Sequence, residues 1–424
     1  MKLRLPLLLA LALAACAEDP PATLEERLAQ QPGFWFAARE MPELEQRQHE
    51  LSALGYSDGY EPAAGATGVV FHDPEQSQPG LNLYSSGHGP EAFLMDLDGK
   101  RLHRWSIPYE DLLGAPPMEH QSQIGWRRVR MLPGGSLLAI HGGLALIKLD
   151  RDSNLQWVFP GRAHHDLKVL EDGRILTLTR ELKLISQLNP KLPSVDDAIS
   201  VLSPEGKLLK RVSLVTALRN SRWFAAAAKL GRNPDKVQRL DAQGLSALDI
   251  LHANSIHVLD GKHVTKHPAF AAGNVLVCLR ELNAMVVVDL EQSRVVWYRE
   301  GAWLAPHDPT LTAEGNLLVF DNMGHGGYSQ VLELDPTDGT EIWAYRGDPA
   351  ESFFSVFCGT ASRLPGGNTL VTESCAGNAV EITPTGKVAW AFRSPHRAGE
   401  KDDLVAVLFE VERIAPERLT WLKR

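Results

Sequence analysis

Residues 315–345 read GNLLVFDNMGHGGYSQVLELDPTDGTEIWAY, and their pattern decides the fold. A glycine turn opens the stretch and an apolar run follows from Leu317 to Phe320. A second run (Val331 to Leu334) leads through the turn Asp335–Gly339 into a strand ending on Trp343 and Tyr345. Runs this short, bounded by Gly, Asp and Pro, read as β-strands rather than helices. The same grammar recurs in GLNLYSSGHGPEAFLMDLDGKRLHRW (80–105), GGSLLAIHGGLALIKLDRDSNLQWVF (134–159), DGRILTLTR with AISVLSPEGKLLKRVSL (172–214), GNVLVCLRELNAMVVVDLEQSRVVWY (273–298) and GGNTLVTESCAGNAVEITPTGKVAWAF (366–392). Five segments close near a tryptophan: Trp105, Trp157, Trp297, Trp343 and Trp390. Spacings of 52, 46 and 47 residues between neighbours suit a four-stranded blade. Six repeats predict an all-β chain, a six-bladed β-propeller over 69–424. The C-terminal run LVAVLFEVERI (404–414) is expected to complete the first blade.

Two regions depart from the repeat. Residues 22–55 read as short amphipathic helices, a helical N-terminal segment within a spacer over 16–68, and helix formers at 213–250 interrupt the third blade as a helical insertion. Ahead of the spacer, Lys2 and Arg4 precede the apolar run LPLLLALALAAC, which is too short to span a bilayer and reads as a secretory signal over residues 1–15. Its end, Leu13-Ala14-Ala15-Cys16, resembles a bacterial lipobox, making Cys16 the expected lipidation site and membrane anchor. Ala17 after it favours the outer membrane facing the periplasm, within the cell envelope. The chain has 43 Lys+Arg against 52 Asp+Glu, and no basic run interleaved with aromatics. Nucleic acid is therefore not an expected partner.

Histidines recur in register with the turns. Eight residues before the turn glycine lies the start of the innermost strand, and seven after it the end of the next. Being antiparallel, both positions fall at one end of the hairpin, by one mouth of the channel. The count gives His165 and Arg180 around Gly173, His307 and Asn322 around Gly315, and Gly359 and Ser374 around Gly367. Arg280 lies seven after Gly273. An insertion in the fourth blade breaks the count there, and His252 of HANSI is the residue most like the others. His164, His257, His263, His267 and His325 lack such placement and read as surface residues or residues packed behind the site. The turn between Gly366 and Gly367 sets Cys358 across from Cys375, a pairing compatible with a disulfide in an oxidising compartment or with two free thiols.

A donor-rich, positive mouth suits an oxyanion such as sulfate or phosphate. The motifs HANSI followed by CLRE, and PHDPTL followed by GNLLVFDN, resemble the bacterial periplasmic arylsulfate sulfotransferases, over residues 69–414. The resemblance implies transfer of a sulfuryl group from an aryl sulfate donor to a phenolic acceptor, independent of the nucleotide donor PAPS and with no cofactor. It implies His307 as the nucleophile that becomes sulfohistidine, with His252, Arg280 and His165 stabilising the sulfuryl oxygens. Asn254, Arg180 and Asn322 are the expected substrate-binding residues beside them. A cross-strand disulfide near the site is a family feature that Cys358 and Cys375 would supply. A homodimer is a further expectation, although residues 17–68 read as helical and shorter than the β-domain through which well-known members dimerise.

Two rival readings come from other classes. Axial histidines can hold a catalytic metal, as in propeller oxygenases and lactonases, with Asp166 and Asp308 adding oxygen ligands. Arg280 and Arg180 would repel such a cation, so no metal is expected. The other rival, a non-catalytic envelope scaffold, leaves the clustered histidines unexplained.

Overall fold

The computed structural model describes residues 61–423 except 64, 109–110, 113–124, 143–144, 234–235, 240–245, 326–327 and 400. The expected signal, Cys16 and most of the N-terminal spacer lie outside the described residues. Six antiparallel sheets form the blades of a propeller, and their innermost strands are Leu408–Ile414 (blade 1), Trp126–Met131 (blade 2), Ala163–Val169 (blade 3), Ala253–Val258 (blade 4), His307–Leu311 (blade 5) and Thr360–Arg363 (blade 6). The ring closes twice. The C-terminal strand completes blade 1 by pairing with Leu81–Ser86, as its sequence predicts, and Gly68–His72 adds a fifth, outermost strand to blade 6.

The packing explains the repeat. Apolar clusters lie between neighbouring blades: Leu137 and Ala139 pack with blade 1, whereas Leu138 and Ile140, on the opposite pleat, pack with blade 3. Middle strands such as Leu137–His141 and Val275–Leu279 are buried on both faces and read as continuous apolar runs, while outer strands such as Leu155–Phe159 are partly exposed. The tryptophans that set the period are clamps between blades. Indole nitrogens of Trp105, Trp157, Trp343 and Trp390 donate to Gly135, Pro204, Pro384 and Leu97 respectively, each carbonyl in a turn of the following blade. Between blades 4 and 5 this bond comes from Arg299, which donates to Pro336 and Thr337. Gly206 (φ 79°) lets one such turn close, since a Cβ there would meet the Trp157 ring at 2.7 Å.

The insertion expected at 213–250 contains two short helices, Leu214–Arg219 and Phe224–Leu230, the first capped by Ser213 Oγ accepting from Thr216 N. Leu214, Val215, Ala217 and Leu218 are buried in the cluster between blades 3 and 4. Two short strands, Val237–Arg239 and Ser246–Leu248, then return the chain to blade 4. Among the described residues, no helix is long and apolar enough to cross a membrane.

Candidate active site

One device recurs at the same height of the innermost strands. Pairing with the second strand slips at Arg127 in blade 2, His165–Asp166 in blade 3, Asn254 in blade 4, Asp308–Pro309 in blade 5 and Phe409 in blade 1. In blade 6, Cys358 and Gly359 occupy this level just before the strand begins. A β-bulge re-aims side chains that the pleat would otherwise send into the packed faces between blades. These re-aimed residues converge: Arg127, His165, Asn254, Asp308, Cys358, Gly359 and Phe409, with Arg128, His307 and Thr360, line a small pocket partly open to solvent. Four non-glycine residues around it, His165, His252, Asp308 and Cys358, hold left-handed backbone (φ 47° to 57°). Such conformations cost on the order of 1 to 3 kcal/mol each and persist where the surrounding fold over-determines them.

His307 is buried, and its neighbours define its tautomer. Nδ1 lies 2.7 Å from Asn322 Oδ1 and 3.0 Å from the Ala305 carbonyl. The Asn322 amide cannot turn over, because its Nδ2 donates to the carbonyls of Ser355 (2.6 Å) and Cys358 (2.8 Å). Facing two acceptors, Nδ1 carries the proton and Nε2 keeps its lone pair. Nε2 meets the Cys358 N–H at 3.3 Å. Burial holds the His307 pKa well below the usual histidine value, reinforced by Arg280 and Arg127 and opposed by the Asn322 and Ala305 hydrogen bonds. The imidazole is therefore neutral at pH 7, in the form that can attack an electrophile.

His165 is also buried and held neutral, by burial first and then by Arg127. Its ring lies edge-on to His252, centroids 5.1 Å apart. His252 directs Nδ1 to Asp249 Oδ2 at 2.5 Å. Burial would raise the Asp249 pKa, but the charge and hydrogen bond of His252 outweigh it and hold the carboxyl low. Arg127 places its guanidinium 3.4 Å from Cys358 Sγ and over the Phe409 ring at 5.6 Å. Below it, Arg128 meets carboxylates from three blades: Asp166 (3.2 Å), Asp308 (3.5 Å) and Glu410 (2.7 Å). Their charges overcome burial and raise its pKa further. Asp166 and Asp308, offered above as metal ligands, thus direct an oxygen to a guanidinium, and among the described residues no group of three or more His, Cys, Asp or Glu could hold a metal ion.

Of the seven residues named from the sequence for catalysis and binding, His165, Asn254 and His307 line the pocket. His252 backs His165. Arg280 turns its guanidinium to Glu281 (Nε to Oε1 3.0 Å) while its charge reaches His307. Arg180 pairs across the sheet with Asp197. Asn322 is fully buried, and its amide is spent on His307 and two carbonyls, so it positions His307 instead of contacting a substrate. His164, read as a surface residue or one packed behind the site, is buried directly behind His165. The expected disulfide is absent: Cys358 and Cys375 are free, buried thiols. The hairpin pairs Thr360 with Thr372, so continuing that register sets Ser374 across from Cys358, and the Gly359 N–H indeed donates to Ser374 Oγ at 2.9 Å. Arg127 was missed, although the count of eight before Gly135 falls on it.

Neutral imidazoles and guanidinium groups gathered in one axial pocket make a propeller suited to a small oxyanion. The chain belongs to the arylsulfotransferase (ASST) family, whose model matches residues 128–395, more than half of its length. This membership places it among proteins of sulfuryl transfer. No curated protein matches it. Similar solved structures include a protein of unknown function from Bacteroides caccae (13% identity, 75% of this chain and 94% of that chain, TM-score 0.47) and virginiamycin B lyase from Staphylococcus aureus (12% identity, 63% and 69%, TM-score 0.37). Neither likeness bears on function.

Proposed function

We propose that the protein transfers a sulfuryl group from an aryl sulfate ester to a phenolic acceptor, without PAPS, through a sulfohistidine at His307. The observation that carries this reading is His307 itself, a buried neutral imidazole that lines the pocket together with Arg127, its Nδ1–H committed to Asn322 and its Nε2 bare of a proton and facing the Cys358 N–H. The Nε2 lone pair attacks sulfur, and the bond from sulfur to the aryl oxygen breaks. A phenol oxygen then attacks the sulfohistidine and returns the electron pair to Nε2. Arg127, with Arg280 and His252 further out, stabilises charge on the sulfuryl oxygens as it moves, and Phe409 offers an aromatic wall to the aryl ring. Incubation with 4-nitrophenyl sulfate and phenol should release nitrophenol and form phenyl sulfate without nucleotide, and His307→Ala should abolish both. Turnover by His307→Ala would refute the assignment.

A lipid on Cys16 would anchor the propeller in the cell envelope, on the periplasmic face of the outer membrane, where cytosolic PAPS is not at hand. Cys16→Ser should then release the protein from membranes, and unchanged fractionation would contradict the anchor.

A further inference from the structure

Behind the pocket, blades 3 and 4 bury titratable groups that attack by His307 does not use: His164, Asp197 and Asp249. His164 Nδ1 lies 2.7 Å from His165 Nδ1, with the rings nearly perpendicular (89°). Two imidazole nitrogens at this distance share one proton, since two N–H groups would clash and two lone pairs would repel. On its other side, His164 Nε2 lies 3.3 Å from Asp197 Oδ1, within ion-pair distance but out of line for a hydrogen bond, while Asp197 Oδ2 accepts the Ala253 N–H at 2.8 Å. A line therefore runs from the pocket through His165 and His164 to a carboxyl group that is 2% exposed.

We propose that this line is a proton relay, giving a proton through His165 Nε2 to the departing aryl oxygen and taking one back from the incoming phenol. The relay rests on reading His307 as the nucleophile. In the relay Asp197 is protonated and turns its O–H onto His164 Nε2, 3.3 Å away, His164 Nδ1–H donates to His165 Nδ1, and His165 Nε2 carries the proton that is given up. When the bond from sulfur to the aryl oxygen breaks, the electron pair stays on that oxygen, which takes the Nε2 proton of His165. The His164 Nδ1 proton moves to His165 Nδ1, and the Asp197 proton moves to His164 Nε2. A neutral phenol leaves, and Asp197 remains as a carboxylate. Discharge runs in reverse: the acceptor phenol gives its proton to His165 Nε2 and its oxygen attacks sulfur. The bond to His307 breaks with its electron pair returning to Nε2, and Asp197 is protonated again.

The surroundings favour this route over one that stores charge on an imidazole. Burial holds His164 well below the usual histidine pKa, with Arg180, His252 and Arg127 adding to it and a Thr179 backbone hydrogen bond opposing. Asp197 is shifted the other way: burial and the Asp249 carboxyl raise its pKa, while Arg180, the Ala253 N–H and His252 temper the rise. A shared displacement of protons lets neutral histidines act as acid and base without either becoming an imidazolium.

Adduct formation on His307 from aryl sulfates with good (4-nitrophenyl) to poor (4-methylphenyl) leaving groups tests the relay. Asp197→Asn should slow the poor leaving groups at least about tenfold more than the good ones, because only the poor ones need the proton. Equal slowing of every donor, or none, would overturn the relay with the His307 chemistry intact. No adduct in the wild-type chain would overturn that chemistry and the relay with it. A second measurement needs no variant: discharge of the wild-type adduct to phenol in H2O–D2O mixtures should depend on deuterium fraction along a curve, from several protons moving together. A straight line would overturn the relay.

Discussion

Replacing Asn322 by alanine removes three buried hydrogen bonds at once, and the structure gives each a different consequence. The Cys358 carbonyl loses its Asn322 donor, while the Ser355 carbonyl keeps Ser329 Oγ at 3.3 Å. Leaving one buried acceptor unmet and another weakly met costs about 2 to 4 kcal/mol of folding stability. The effect on His307 is separable. Nδ1–H keeps the Ala305 carbonyl at 3.0 Å, so the reactive tautomer survives in part, but the tautomer with the proton on Nε2 becomes accessible and the ring loses its side support. Adduct formation should fall about 10- to 100-fold, the scale of a lost orienting contact. Single-turnover release of nitrophenolate from 4-nitrophenyl sulfate measures the chemical step, and thermal melting measures stability. Asn322→Asp is the informative control: it can accept Nδ1–H but cannot donate to either carbonyl, so it should lose stability while retaining more of the single-turnover rate than alanine. Wild-type adduct formation by Asn322→Ala, in protein shown to be folded, would refute the reasoning.

Three further outcomes follow from the same geometry. Arg127→Ala should lower the transfer rate about 10²- to 10³-fold, as for loss of one transition-state donor; because Arg127 depresses the pKa of His165 and His307, the acidic limb of the pH–rate profile should also move to higher pH. Stability should fall on acidification: His141 and His257 are pushed by burial from 6.5 to about 4, so each is neutral in the fold but protonates in the unfolded chain below pH 6.5. Each should remove up to about 1.4 kcal/mol per pH unit between 6.5 and about 4, and a melting temperature unchanged from pH 7 to 5 would contradict this. Cys358 and Cys375, the latter's thiol pushed by burial up to about 12, should resist alkylation until the protein is denatured, and reductant should leave the melting temperature unchanged; a drop with reductant would reveal a bridge.

The propeller was legible because its period is written in side chains with a local job: the tryptophans of four blades each reach a turn of the next blade, and in blade 4 Arg299 takes over. The fifth strand on blade 6, Gly68–His72, was not, since nothing in GVVFH names its distant partner Val388–Arg393. Counting from turn glycines found His165 and His307 because the hairpins keep a constant length up to the bulges. The same count points to Arg127, which a search for histidines passes over. It misjudged Cys358 by one residue, because register there is determined by the pairing of Thr360 with Thr372. Asp197 and Asp249 were passed over for a different reason: Asp197 reaches His164 within blade 3 from two strands away, and Asp249 lies three residues before His252 outside the hairpin, so a count from turn glycines touches neither.

The central claim is that His307 Nε2 carries the sulfuryl group between donor and acceptor. Its most direct measurement is mass spectrometry of the protein quenched after brief exposure to an aryl sulfate without acceptor, followed by peptide mapping. The account predicts one added sulfuryl group per chain, located on His307, which disappears when phenol is added. An adduct on His165 or His252, or turnover with no adduct on any residue, would contradict it.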